Sequence, residues 1–131
     1  MRGVKPWLWC AGWLAALGGC SPSEEDLTTV RGEVTFGGRP LAGGMIVFAP
    51  DPEHGEDGPI ATAKIAPDGS YSLKCDLGDG AVTGWHRVAI APPAGTVDGV
   101  PRRYRRPDLS GLICEVAPGE ENVFDFALPE G

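Results

Sequence analysis

Val30-Arg31-Gly32-Glu33-Val34-Thr35-Phe36-Gly37-Gly38-Arg39-Pro40 is the stretch that sets the fold class. Val30, Gly32, Val34 and Phe36 fall on one side of a two-residue period, with Arg31, Glu33 and Thr35 on the other. That is the pattern of a strand with one face in a core and one in water. Gly37-Gly38 can supply positive φ, and Pro40 fixes its own φ, so the chain turns here.

The same grammar repeats outward from that stretch. Residues 45–49 form a continuous apolar run closed by Pro50, and residues 60–65 read as a third strand. Pro67-Asp68-Gly69 is a tight hairpin turn, followed by a fourth strand over 70–74 with Tyr71 and Leu73 inward. Residues 85–91 alternate again: Trp85, Arg87, Ala89 and Ala91 lie opposite His86, Val88 and Ile90, and Val88 and Ile90 face the core. Residues 112–116 and 122–128 complete seven strands. The acidic Gly/Pro segment 51–59, the Gly-rich 76–84 and the irregular 92–111 read as loops. Gly and Pro make up 33 of 131 residues, and no eleven-residue window carries a helical stripe, which excludes a helical bundle or coiled coil. Seven short strands with hairpin-length turns predict an all-β fold, a seven-stranded antiparallel β-sandwich.

The first twenty residues belong to a different chemistry. Arg2 and Lys5 precede an apolar run over residues 6–16, and Leu17-Gly18-Gly19-Cys20 closes it with small residues. This is the tripartite pattern of a secretory signal, and its apolar run is shorter than the roughly twenty residues a spanning helix needs. Leu17-Gly18-Gly19-Cys20 resembles the lipobox of bacterial lipoproteins. The resemblance implies cleavage between Gly19 and Cys20, diacylation of the Cys20 thiol and acylation of the new amino terminus. More than one acyl chain anchors stably, so the expected location is the bacterial envelope, lipid-held to a membrane outside the cytoplasm. The expected organisation is a signal peptide over 1–19, a lipidated cysteine and polar tether over 20–28, and a domain over 29–131. Removing residues 1–19 leaves 112 residues with 18 acidic and nine basic side chains, a formal net charge of −9. A domain so acidic has no field to gather phosphates, so nucleic acid is excluded as a partner.

The strand motifs, taken together, resemble a family. Val30-Arg-Gly-Glu-Val-Thr-Phe36, Arg39-Pro-Leu-Ala-Gly43, Ile46-Val-Phe48, Asp68-Gly-Ser-Tyr-Ser-Leu73 and Gly84-Trp-His-Arg-Val-Ala-Ile90 look like the carboxypeptidase-regulatory-like, transthyretin-like domain. The likeness covers residues 29–128. Trp85 stands where that family has Tyr or Phe, which implies a buried aromatic. The run over 100–112, with Glu115-Val116 and Asn122-Val-Phe-Asp-Phe126, is similar to a subgroup found as small bacterial envelope lipoproteins. The resemblance implies a transthyretin (prealbumin)-like sandwich without catalysis or cofactor, serving as a structural or interaction module that binds carbohydrate or an envelope protein.

Few residues stand out for chemistry. His54, in Asp51-Pro-Glu-His-Gly-Glu-Asp57, sits among oxygen donors, and the alternative function is a periplasmic ligand- or metal-binding protein using this loop. No ligand spacing fixes a metal geometry there, so a solvated loop is the expectation. His86 reads as a surface residue. None of the serines after Cys20 (Ser21, Ser23, Ser70, Ser72, Ser110) has a nucleophile-elbow context, and no enzyme is expected. Cys75 and Cys114 are the two thiols left after the leader and Cys20, and in an oxidising envelope they either bridge or remain two small residues. Arg102-Arg103-Tyr104-Arg105-Arg106 is the one concentrated basic feature. It is either a clamp for an anion or a partner, or a loop pinned by Tyr104 whose arginines pair with the domain's own acids.

Overall fold

A computed structural model of the chain describes residues 27–93, 100–119 and 121–129. The proposed leader, the Gly19–Cys20 cleavage point and most of the tether lie outside these residues. Among the described residues no helix is long and apolar enough to cross a membrane.

The described chain is all-β. Thirteen strands follow one another: β1 Leu27–Thr28, β2 Val30–Phe36, β3 Arg39–Pro40, β4 Met45–Pro50, β5 Ala61–Lys64, β6 Ser70–Ser72, β7 Lys74–Cys75, β8 Gly78–Asp79, β9 Ala81–Val82, β10 Gly84–Ala91, β11 Leu112–Val116, β12 Asn122–Val123 and β13 Phe126–Leu128. One sheet runs β11-β10-β4-β5-β7-β8. A second is built around β2, with β12 and β13 along one side and β3 and β6 along the other, and β1 pairs with β9. The pairs are antiparallel except β12 and β13, which run parallel to β2. This corrects the expectation of a purely antiparallel arrangement, because the chain re-enters beside β2 after a turn from the other sheet instead of by a hairpin.

Both sheets feed one core. β2 contributes Val30 and Val34, β4 Ile46 and Phe48, β10 Val88 and Ile90, β6 Tyr71, and β13 Phe126 and Leu128. The alternation over residues 30–36 holds: Val30, Gly32 and Val34 are buried, Arg31 and Glu33 exposed. Gly32 is required by close approach, since a Cβ there would lie 1.9 Å from the Phe124 carbonyl oxygen. That carbonyl also accepts the Tyr71 hydroxyl at 2.6 Å, so the sequence pair Gly32/Tyr71 makes room for β12 and β13 and ties them down. At the hairpin turn, Gly69 takes φ 88°, and Asp68 Oδ1 accepts from the Ser70 amide at 3.0 Å and its hydroxyl at 2.6 Å.

Three segments differ from the sequence reading in extent. The run over 70–74 divides at buried Leu73, β6 joining β2 and β7 joining β5, so one sequence strand serves both sheets. Leu27–Thr28, read as tether, pairs with Ala81–Val82, and the loop over 76–84 carries β8 and β9. The strand over 122–128 is interrupted at Phe124–Asp125, where Asp125 Oδ1 accepts from the Glu33 amide at 2.9 Å.

Candidate functional site

Three surface features bear on function. The first is the loop after β4. Asp51 is buried and capped on both oxygens: Oδ1 accepts from the Glu53 amide at 2.9 Å and faces Arg87 Nε at 3.0 Å, while Oδ2 meets His54 Nδ1 at 2.7 Å. Its burial pushes the carboxyl upward, but the hydrogen bonds from His54 and Glu53 and the Arg87 charge outweigh it and hold the group below the ordinary aspartate value. The His54 ring stacks on Trp85 with centroids 4.6 Å apart, Glu56 Oε2 accepts from the Trp85 amide at 3.0 Å, and Arg87 Nη2 reaches Glu53 Oε1 at 3.3 Å. The loop is therefore strapped onto the outer face of β10 by its own acids. Among the described residues no three His, Cys, Asp or Glu side chains converge as a metal site. Three of the loop's four carboxylates, those of Asp51, Glu53 and Glu56, are already engaged with Arg87, His54 and the Trp85 amide.

Two sequence expectations are reversed on β10. Trp85 is not a core aromatic: it lies only partly buried on the outer face with Arg87, under His54. His86, expected at the surface, is 1% exposed, with its ring 5.8 Å from Phe48. Its Nε2 lies 2.8 Å from the Val82 carbonyl, which only accepts, so Nε2 carries the hydrogen; Nδ1 has no hydrogen-bond partner among the described residues. Burial lowers the imidazole pKa, and the Val82 hydrogen bond and Glu56 only partly offset it, so His86 is neutral at pH 7. The two-residue period already placed His86 with Val88 and Ile90, and that signal located it correctly.

The second feature is the basic turn. Arg102–Arg105 form a 3-10 turn packed on β10, with Tyr104 6% exposed in the core and all four arginines at 102, 103, 105 and 106 exposed. The Arg103 guanidinium lies 4.5 Å from the Tyr104 ring centroid, and Nη2 donates to the Tyr104 hydroxyl at 2.9 Å. Arg106 pairs with Asp108 at 3.0 Å. Among the described residues Arg102 and Arg105 have no ion pair. Ser110 fixes the turn's exit: its hydroxyl donates to the Val88 carbonyl and accepts from the Leu112 amide at 3.1 Å. The pinned-loop alternative is met in part, with Tyr104 buried in the core and Arg106 paired to a nearby acid. Residues 94–99 of the long 92–111 loop lie outside the described residues.

The third is an open groove of about 920 Å³ over the joined outer faces of β2, β5 and β6, where Arg31, Glu33, Lys64, Ser70, Lys74 and Asp125 stand on its walls. It holds carboxylates, hydroxyls and ammonium groups but no histidine or thiol.

Cys75 and Cys114 are both free thiols. They stand on β7 and β11, four strand steps apart in one sheet. At about 4.8 Å per step this separation far exceeds the roughly 7 Å Cα limit for a bridge. The intramolecular disulfide alternative is not realised. Comparison of the chain with family models, curated proteins and solved structures finds no match in any of the three.

Proposed function

We propose that the chain is a lipid-anchored, non-enzymatic β-sandwich of the bacterial envelope, with the transthyretin-like arrangement its motifs resemble, and that it works as an interaction module. The sandwich reading is supported by a single core closed between a six-stranded and a five-stranded sheet. The anchor reading rests on Leu17-Gly18-Gly19-Cys20 and on a first strand that starts seven residues after Cys20, so the domain would stand close to its membrane.

The observation that carries the interaction reading is the basic turn. Burying Tyr104 under exposed arginines fixes their backbone before any partner arrives, which lowers the ordering cost of binding. In the 51–57 loop, by contrast, Asp51 and Glu53 are committed to Arg87 and hold the loop on β10. The anchor is tested by fractionating cells that express Cys20→Ser: accumulation of uncut precursor or loss of lipid supports it, and unchanged retention in detergent-soluble membrane overturns it. The interaction surface is tested by replacing Arg102, Arg103, Arg105 and Arg106 with Gln. Loss of envelope partners in a pull-down is the expected result, and an unaltered partner set overturns this surface.

A further inference from the structure

We infer that two copies of this chain pair through β11, forming a continuous antiparallel sheet about a two-fold axis at Cys114. This takes the interaction-module reading further by naming the partner. It does not depend on the lipid anchor.

Among the described residues β11 is an unprotected sheet edge. It ends the order β11-β10-β4-β5-β7-β8 and is five residues long, whereas the other edge strands β3, β6, β8, β12 and β13 have two or three. Natural edges are blunted by short length, proline, lysine or bulges. Leu112-Ile113-Cys114-Glu115-Val116 contains no proline, lysine or glycine and pairs with β10 without a bulge.

The free hydrogen-bonding groups of this edge follow from the ladder. The Trp85 carbonyl accepts from the Asp51 amide at 3.0 Å, on the β4 side, so Trp85 and Arg87 turn their main chains toward β4. His86 and Val88 therefore face β11, and the Val88 carbonyl indeed takes the Ser110 hydroxyl. His86 is opposite Cys114 and Val88 opposite Leu112, so Cys114 spends its amide and carbonyl on β10, and Ile113 and Glu115 present theirs outward.

This pattern is self-complementary about Cys114. In an antiparallel copy, Ile113 of one chain exchanges both main-chain hydrogen bonds with Glu115 of the other, and the reverse, giving four bonds. Cys114 then faces its own copy in a non-hydrogen-bonded position, with Cα atoms about 4.5 Å apart. Antiparallel pairing also sets the start of one β11 beside the end of the other. The start follows the arginine turn, where Arg102 and Arg105 have no ion pair among the described residues; the end carries exposed Glu115. The two-fold axis thus turns Glu115 of each copy toward the end of the other from which its arginine turn leads in. The apolar surface agrees, since Ile113 is 45% and Leu109, just ahead of β11, 52% exposed.

The native thiol supplies the readout. Cα atoms so placed are within the roughly 4.4–6.8 Å span of a disulfide. Two Cys114 thiols would lose two protons and two electrons to oxidised glutathione, forming one S–S bond and two molecules of reduced glutathione. Burial raises the Cys114 thiol to about 11, so the exchange is run at alkaline pH on the full chain in detergent. The expected product has twice the chain mass on non-reducing gels and yields a peptide containing Cys114 twice, and Cys75→Ser leaves it unchanged. Ile113→Pro removes one outward donor while leaving the β10 ladder intact, so it should cut the yield by about tenfold with native circular dichroism. If that variant unfolds, Glu115→Arg and Arg105→Glu, each lowering the yield alone and restoring it when the two variants are mixed, serve instead. Absence of the Cys114 dimer, its formation equally with Ile113→Pro that keeps native circular dichroism, or indifference to both charge changes overturns the proposal.

Discussion

At Gly32 the absence of a side chain lets the β2 backbone meet the segment that joins β12 to β13 along the same side of it. The Phe124 carbonyl occupies the space a Cβ would need, and Tyr71 donates to the same oxygen. Gly32→Ala should therefore cost about 1–3 kcal/mol by overpacking against backbone that cannot move aside, a drop readable in denaturant melts. Tyr71→Phe should cost about 1 kcal/mol, because it removes one hydrogen bond and leaves its acceptor without that donor. Burial pushes the Tyr71 phenol well above its ordinary value of 10.0, so that effect should not vary with pH below 10.0. Alternation made Val30, Val34, Tyr71, Leu73, Val88 and Ile90 legible as core, because a two-residue period and a buried face are the same fact. The same period places Trp85 outward and His86 inward. Residue type, taken alone, points the other way for both, and the period is what the packing obeys.

Elements were legible where hydrogen bonding is local, and less so where partners are distant in sequence. β2, β4, β10 and β11 match their apolar runs almost residue for residue, and the Pro67-Asp68-Gly69 turn is set by the chemistry of three adjacent residues. The division at Leu73 and the parallel pairing of β12 and β13 depend on which distant strand is nearest, which no local pattern encodes. Of the candidate site, the basic turn could be found as a composition anomaly. The strapping of the 51–57 loop could not, since it needs Arg87 and Trp85 brought beneath Asp51 and His54. The turn offers a prediction of its own. Ser110 links the Val88 carbonyl to the Leu112 amide, bridging β10 and the first residue of β11. Ser110→Ala should destabilise by about 1–3 kcal/mol, because it strands two main-chain groups at once. Hydrogen exchange should show the loss concentrated at Leu112 and the turn, with β2 and β4 protected as before.

For the molecule as a whole, pH dependence sums the buried groups. His86 has its pKa lowered in the fold, so between that value and the ordinary 6.5 the unfolded chain binds a proton the folded chain refuses. Stability therefore falls on acidification through this window, by at most about 1.4 kcal/mol per pH unit from this one group. Asp51 adds a second loss at lower pH. Its folded pKa lies below 3.8, so the stability it contributes is present above 3.8 and disappears as the pH drops through the folded value. Two successive acid losses are expected, the first with no carboxylate involved. His86→Gln keeps a donor for the Val82 carbonyl but does not titrate, and should flatten the stability curve between pH 6.5 and 5 while leaving the lower loss in place. Asp51→Asn should reduce the lower loss, to which Asp68 and Glu121 also contribute, at the expense of stability at pH 7, because Arg87 and His54 lose their buried carboxylate. Denaturant unfolding of the two variants and the parent at pH 7, 5 and 3.5 separates the contributions. A parent curve flat from pH 7 to 5 would mean that His86 protonates in the folded state, and so that its buried surroundings open to water before the fold is lost.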